Sequence, residues 1–112
     1  MNFKKTADTL ELGAHTLQRE YYIDPDILDK EYKSIFQKQW ICVGRSNDIK
    51  KPGQFITHEI GEESIIIVRD KDKGRKAHYN VCRHRGTRIC NDAKGTFPKS
   101  IQCGYHGWTY AL

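Results

Sequence analysis

The chain has 112 residues, 38% of them hydrophobic and 29% charged, with a formal net charge of +5. That length allows one small domain and excludes a complete two-domain enzyme. The mean hydropathy of -0.74 is that of an ordinary soluble fold, and the longest aliphatic run, Ile65 to Val68, is far short of the roughly 20 residues a membrane helix needs.

Residues 1–20 carry no clear period and read as a loosely ordered arm, with Leu10, Leu12 and Leu17 as candidate anchors. Basic residues near Met1 are not followed by an apolar stretch, so a secretory signal is not expected and a cytoplasmic location is. The first firm signal is Asp24-Pro25-Asp26. Asp24 can cap a helix, Pro25 suits its first position, and Asp26 suits the positive end of the dipole. Ile27, Leu28, Tyr32, Ile35 and Phe36 then recur at helical spacing, which predicts a helix over about 25–38 with Trp40 closing its end.

After Trp40 the period shortens towards 2. Ile41-Cys42-Val43 reads as a strand, Pro52-Gly53 as a turn, and Phe55 to Glu59 as an alternating strand. Gly61-Glu62-Glu63 turns the chain into the β-branched run Ile65–Val68. Asp70-Lys71-Asp72-Lys73-Gly74 reads as a hairpin loop, and strand signal resumes over 77–81. An arm, one helix and several short antiparallel strands predict a mainly β fold, a small sandwich or barrel. The division expected is 1–39 for arm and helix and 40–112 for the β domain.

The basic residues are scattered, and the aromatics fall where a core needs them, so no nucleic-acid partner is expected. Arg83, Arg85 and Arg88 form one small cluster beside chemistry-bearing residues and read either as solvated charge or as a docking face for an electron donor. There are four cysteines. Cys42 and Cys90 lack metal-like neighbours and read as small buried residues. His15, His58 and His78 stand singly and are not candidate ligands.

The other two cysteines are different. Cys82-Arg83-His84 has the form C-x-H, and Cys103-Gly104-Tyr105-His106 the form C-x-x-H, with eighteen residues between His84 and Cys103. Two short loops, each with one thiolate and one imidazole, can clamp one inorganic centre. Gly86, Gly104 and Gly107 allow backbone N–H groups to approach sulfur. Two metals suit two cysteines and two histidines. Zinc takes them as a tetrahedron. A 2Fe-2S cluster takes Cys82 and Cys103 on one iron and His84 and His106 on the other. Common zinc fingers pair like ligands, whereas each loop here mixes them.

The runs Cys82-Arg83-His84-Arg85-Gly86 and Cys103-Gly104-Tyr105-His106-Gly107-Trp108 resemble the two cluster loops of a Rieske domain. They most resemble those of the α subunits of Rieske non-haem iron oxygenases, whose second loop reads C-x-Y-H-G-W-x-Y; Cys103 to Tyr110 reproduces it. The resemblance extends from about Tyr21 onward. It implies a Rieske-type 2Fe-2S cluster on Cys82, His84, Cys103 and His106, the outer imidazole nitrogens serving as the exit for the electron. It also implies the lower-potential oxygenase type, because the extra cysteines of quinol-oxidising Rieske proteins are Thr87 and Tyr105 here. Tyr105 is a candidate hydroxyl donor to a cluster sulfur. Trp108 and Tyr110 read as core aromatics, Trp108 also placed to cover the centre. Asn91–Ser100 reads as extra length bulging into solvent.

The family's catalytic domain, with its mononuclear Fe(II) on two histidines and a carboxylate, has no counterpart in these residues. The sequence therefore reads as a C-terminally truncated, N-terminal part of an oxygenase α subunit, with no catalytic residue of its own. The implied partners are a reductase or ferredoxin electron donor and, for the full-length protein, a homotrimeric assembly. A stand-alone Rieske ferredoxin and a structural zinc module are the alternative functions.

Overall fold

In the computed structural model, residues 11–72 and 74–112 are described. Leu10 lies outside them, and Leu12 and Leu17 are 108% and 62% exposed, so neither of the described leucines anchors the arm.

A single turn, α1 (Glu20–Ile23), precedes α2 (Pro25–Glu31). The Asp24 carboxylate accepts the Asp26 N–H at 2.8 Å, and Pro25 occupies the first turn, as the sequence predicts. The helix runs on as a π-helical turn, Tyr32–Phe36, two residues shorter than expected. Its signature is the Gln37 N–H donating to the Tyr32 carbonyl at 2.9 Å. The wider turn brings Tyr32 and Phe36 into ring contact at 5.4 Å and lays Tyr32 over Gly61. Leu28, Ile35 and Phe36 stay 40–48% exposed, so no core contact enforces regular α geometry there. Trp40 is fully exposed and does not close the helix. Ile41 and Val43 are half-buried around an exposed Cys42. They keep the alternation of a strand but find no ladder partner, so the expected strand at 41–43 is absent.

The sheet begins after a tight turn. Gly53 is buried with φ +84°, and a Cβ there would lie 2.1 Å from the Phe97 carbonyl oxygen. Its N–H donates to the Arg69 carbonyl and its own carbonyl accepts the Phe97 N–H, both at 2.8 Å. Only glycine satisfies that conformation and that approach. From it run β1 (Gln54–Ile60), β2 (Glu63–Arg69) and β3 (Arg75–Tyr79) as an antiparallel meander. The hairpin loop before β3 is closed by the Asp70 carboxylate, which accepts the Gly74 N–H. β4 (Lys94–Thr96) pairs antiparallel with β1 on its other side, giving the order β3-β2-β1-β4. The expected bulge at 91–100 is therefore an edge strand in part. Gly95 permits it, since a side chain there would strike the Phe55 ring at 2.9 Å. A second, two-stranded sheet consists of β5 (Ser100–Gln102) and β6 (Thr109–Ala111).

The core lies between the two sheets. Phe55, Ile66 and Val68 come from β1 and β2, and Cys90, Ile101 and Leu112 meet them. Phe97 stacks on Phe55 at 4.2 Å. Cys90 is the buried small residue the sequence suggests. Among the described residues, no helix is long and apolar enough to cross a membrane.

Gly53→Ala should destabilise the fold by about 1–3 kcal/mol for the forced backbone alone, with the carbonyl clash in addition. A urea midpoint unchanged from the parent chain would contradict this.

Candidate metal centre

The two sequence motifs fold as the same turn built twice. In the first loop the Cys82 N–H donates to the Thr87 carbonyl at 2.7 Å, and the Gly86 N–H donates back to the Cys82 carbonyl at 2.9 Å. In the second the Cys103 N–H donates to the Trp108 carbonyl at 2.8 Å, and the Gly107 N–H to the Cys103 carbonyl at 3.0 Å. Gly86 and Gly107 adopt φ of +74° and +75°. Each turn thus needs a glycine four residues after its cysteine, and the sequence supplies one in both places. The first loop is closed by the Val81–Arg88 bridge, the second by β5 and β6.

This construction sorts the four candidate ligands by depth. Cys82 and Cys103 are 3% and 2% exposed. His84 and His106 are exposed, and their rings meet edge to face at 4.9 Å. All four sequence-predicted residues are therefore brought together, as an inner pair of thiols and an outer pair of imidazoles. The thiols are free, not joined as a disulfide. His15, His58 and His78 lie outside both loops, on the arm, β1 and β3.

Hydrogen bonding prepares Cys82 for negative charge. The Tyr110 hydroxyl lies 3.1 Å from the Cys82 sulfur and accepts the Arg83 N–H at 3.1 Å, which leaves its own proton for the sulfur. That contact pulls the Cys82 thiol below its ordinary range against the opposing effect of burial, helped by the His84 N–H, the Cys103 side chain and the Arg85 N–H. The same contact with Cys82 holds the Tyr110 hydroxyl above its ordinary value. The hydroxyl that serves a cysteine is thus Tyr110, not Tyr105. Tyr105 is 59% exposed, and its ring lies beside His106 at 3.8 Å. Trp108 stacks on His84 at 4.8 Å and 8°. No local signal marked Tyr110 for this contact, which joins residues 28 apart in the chain.

One supporting residue, Asn80, was missed, and Arg88 has a role other than the two expected of it. Asn80 is 4% exposed. Its amide donates to the Ser64 hydroxyl at 3.0 Å and the Cys90 carbonyl at 2.6 Å. Its carbonyl accepts the N–H groups of Ile89 and Cys90 at 3.1 and 2.9 Å. It fastens the outgoing and returning stems of the first loop. Arg88 secures the same stem, donating to the Cys90 carbonyl and to Glu59, and its guanidinium holds the Glu59 carboxyl below the usual range. Arg88, though exposed like Arg83 and Arg85, is therefore engaged in the fold.

The donor set fits an iron–sulfur centre. Two buried thiols, Cys82 polarised towards thiolate by Tyr110, suit one iron, and two outward imidazoles suit another.

A β domain that offers paired Cys/His turns at its tip is a metal-binding, electron-transfer module. The family model of the Rieske [2Fe-2S] domain matches residues 39–112, and the chain belongs to that family. It is 42% identical over 109 residues to the glycine betaine monooxygenase oxygenase subunit of Chromohalobacter salexigens, covering 96% of this chain and 24% of that protein. It is 40% identical over 89 residues to the benzene 1,2-dioxygenase subunit alpha of Pseudomonas putida, covering 80% and 20%. Among solved structures, the apo form of the quaternary ammonium Rieske monooxygenase CntA matches with a TM-score of 0.81 at 36% identity, over 87% of this chain and 28% of that one. Naphthalene 1,2-dioxygenase from Rhodococcus sp. matches with a TM-score of 0.73 at 34% identity, over 79% and 20%. The chain spans about a quarter of the length of the curated relatives it matches.

Asn80→Ala should cost about 3 kcal/mol, because it leaves buried Cys90 backbone groups unpaired; thermal unfolding measures it, and a loss within the scatter of surface substitutions would contradict it. Tyr110→Phe should move the Cys82 thiolate transition to higher pH in the metal-free chain, read by thiolate absorbance. With the hydroxyl present, the folded thiol titrates below its unfolded value. The stability it contributes is therefore complete above that unfolded value and is lost as pH falls through the lowered one. An unmoved transition would contradict the assigned donor.

Proposed function

We propose that Cys82 and Cys103 hold one iron, and His84 and His106 the other, of a [2Fe-2S] cluster. The chain then serves as the electron-transfer part of an O2-dependent oxygenase. The observation that carries this reading is the duplicated turn, which buries two thiols and turns two imidazoles outward. When bound, such a cluster supplies a one-electron couple, and neutral imidazoles on one iron raise its potential above that of an all-cysteine cluster.

The chain's own residues do the remaining work. Backbone N–H groups and Tyr110 stabilise the Cys82 thiolate, as hydrogen bonds to ligand sulfur do. The inner sulfurs are kept from water by the two loops, while His84 and His106 present their edges to a partner. We assign residues 40–112 to the cluster domain and residues 1–39 to an N-terminal segment that carries α2.

For the whole protein we propose an oxygenase α subunit of the cytoplasm. Electrons would come from a reductase or ferredoxin and pass to a mononuclear iron site carried outside these residues, where O2 is used to hydroxylate an organic substrate. A homotrimer is the assembly proposed. Relatives named for glycine betaine and for benzene share this segment to nearly the same degree. The reading therefore stops at the oxygenase class and names no substrate.

Anaerobically purified chain should contain close to two irons and two acid-labile sulfides. Cys82→Ser or His106→Ala should abolish both. One zinc without sulfide, or full iron and sulfide in either variant, would overturn the ligand assignment. Coding sequence following Leu112 should supply two histidines and a carboxylate in a further domain; a stop codon directly after it would overturn the oxygenase reading.

A further inference from the structure

Trp108 is the side chain that the cluster-binding reading leaves without a task. It is 47% exposed, so core packing does not account for its place. Its backbone is fixed, because its carbonyl accepts the Cys103 N–H at 2.8 Å to close the second loop. Its side chain serves the other loop. The indole lies flat against the His84 imidazole, with centroids 4.8 Å apart and planes 8° from parallel. Two residues further on, Tyr110 reaches Cys82, two residues before His84. Trp108, just before β6, and Tyr110 within it thus reach both candidate ligands of the first loop.

The imidazole has little else to hold it. A histidine bound to metal commonly has its second nitrogen fixed by a hydrogen bond. No hydrogen bond to the His84 ring is found among the described residues. The terminal torsion of histidine is broad, so the ring plane is set by contact. The contacts are the indole face on one side and the edge of His106 at 4.9 Å. His106 differs, since Tyr105 beside it in sequence lies against its ring.

We infer that Trp108 is a positioning residue for His84: its indole face, supplied across the gap between the two loops, fixes the plane of that imidazole. The inference rests on the ligand reading above. It separates the two histidines, because among the described residues only His84 lies flat against an aromatic face from the opposite loop. It also specifies that an aromatic face is needed, and not merely apolar bulk.

The test compares Trp108→Phe and Trp108→Leu with the parent 112-residue chain, each with 15N-labelled histidine. Iron and sulfide are measured first. Their absence from the parent chain overturns the ligand reading and the inference with it. Pulsed EPR of the reduced chains then resolves the two imidazole couplings, and bathophenanthroline reports iron loss. In Trp108→Leu, one coupling should shift or broaden while the other stays, and iron should leave about ten-fold faster. Trp108→Phe should restore both readouts. Unchanged couplings in a fully loaded Leu chain, or equal changes in Leu and Phe, would overturn the inference. Should the Leu chain fail to load, loading of the Phe chain supports it and failure of both overturns it. Phe97→Leu, which disturbs the core stack on Phe55, serves as the control for general destabilisation and should leave both couplings in place.

Discussion

A turn that returns its fifth N–H to the carbonyl of its first residue, with a glycine at positive φ, is made twice in this chain, from Cys82 and from Cys103. A cysteine that opens such a turn keeps its carbonyl and N–H occupied and its side chain inside. Residues at the crown of the turn must then face outward. The position of the histidine differs by one residue between the loops, yet both rings reach the same exposed tip and touch. Everything else about the site follows from having these two turns side by side. The sheets exist, for this purpose, to hold their stems at the right separation.

That separation is maintained by polar contacts more than by bulk. Asn80 ties the two stems of the first loop to each other and to β2 through Ser64. Buried amides with all partners in place specify geometry more sharply than apolar contacts, since any slip leaves a group unpaired. The second loop is the firmer of the two because it is an ordinary hairpin between β5 and β6. It lends Tyr110 to Cys82 and Trp108 to His84. The first loop, with three arginines and no strand pairing beyond a single bridge, is organised from across the gap.

Much of this was legible in the residues. The unlike Cys/His pairs, their glycines and the C-x-Y-H-G-W-x-Y run named the family and pointed to four residues that the fold sets in two adjoining turns. The capping at Asp24-Pro25 and the β1–β2–β3 meander were legible because local chemistry decides them. What failed depended on distant partners. Ile41–Val43 has strand composition, but no neighbour offers it a ladder. Leu12, Leu17 and Trp40 are apolar, but nothing in the described residues covers them. The helix stripe predicts regular α structure to 38, and the exposed Leu28, Ile35 and Phe36 leave room for a π turn instead. β4 was hidden because Lys94-Gly95-Thr96 has no strand pattern of its own; it pairs because Gly95 fits over Phe55. Asn80 was hidden because a single asparagine carries no period, and Tyr110 because its role needs the fold to bring it to Cys82.

The central claim is that one iron is held by two thiols and the other by two imidazoles. Mössbauer spectroscopy of the 57Fe-loaded chain tests this directly. The account predicts two unequal iron sites, one of purely sulfur character and one shifted by nitrogen ligation, with the added electron of the reduced state residing on the latter. Two equivalent sulfur-ligated irons would contradict it.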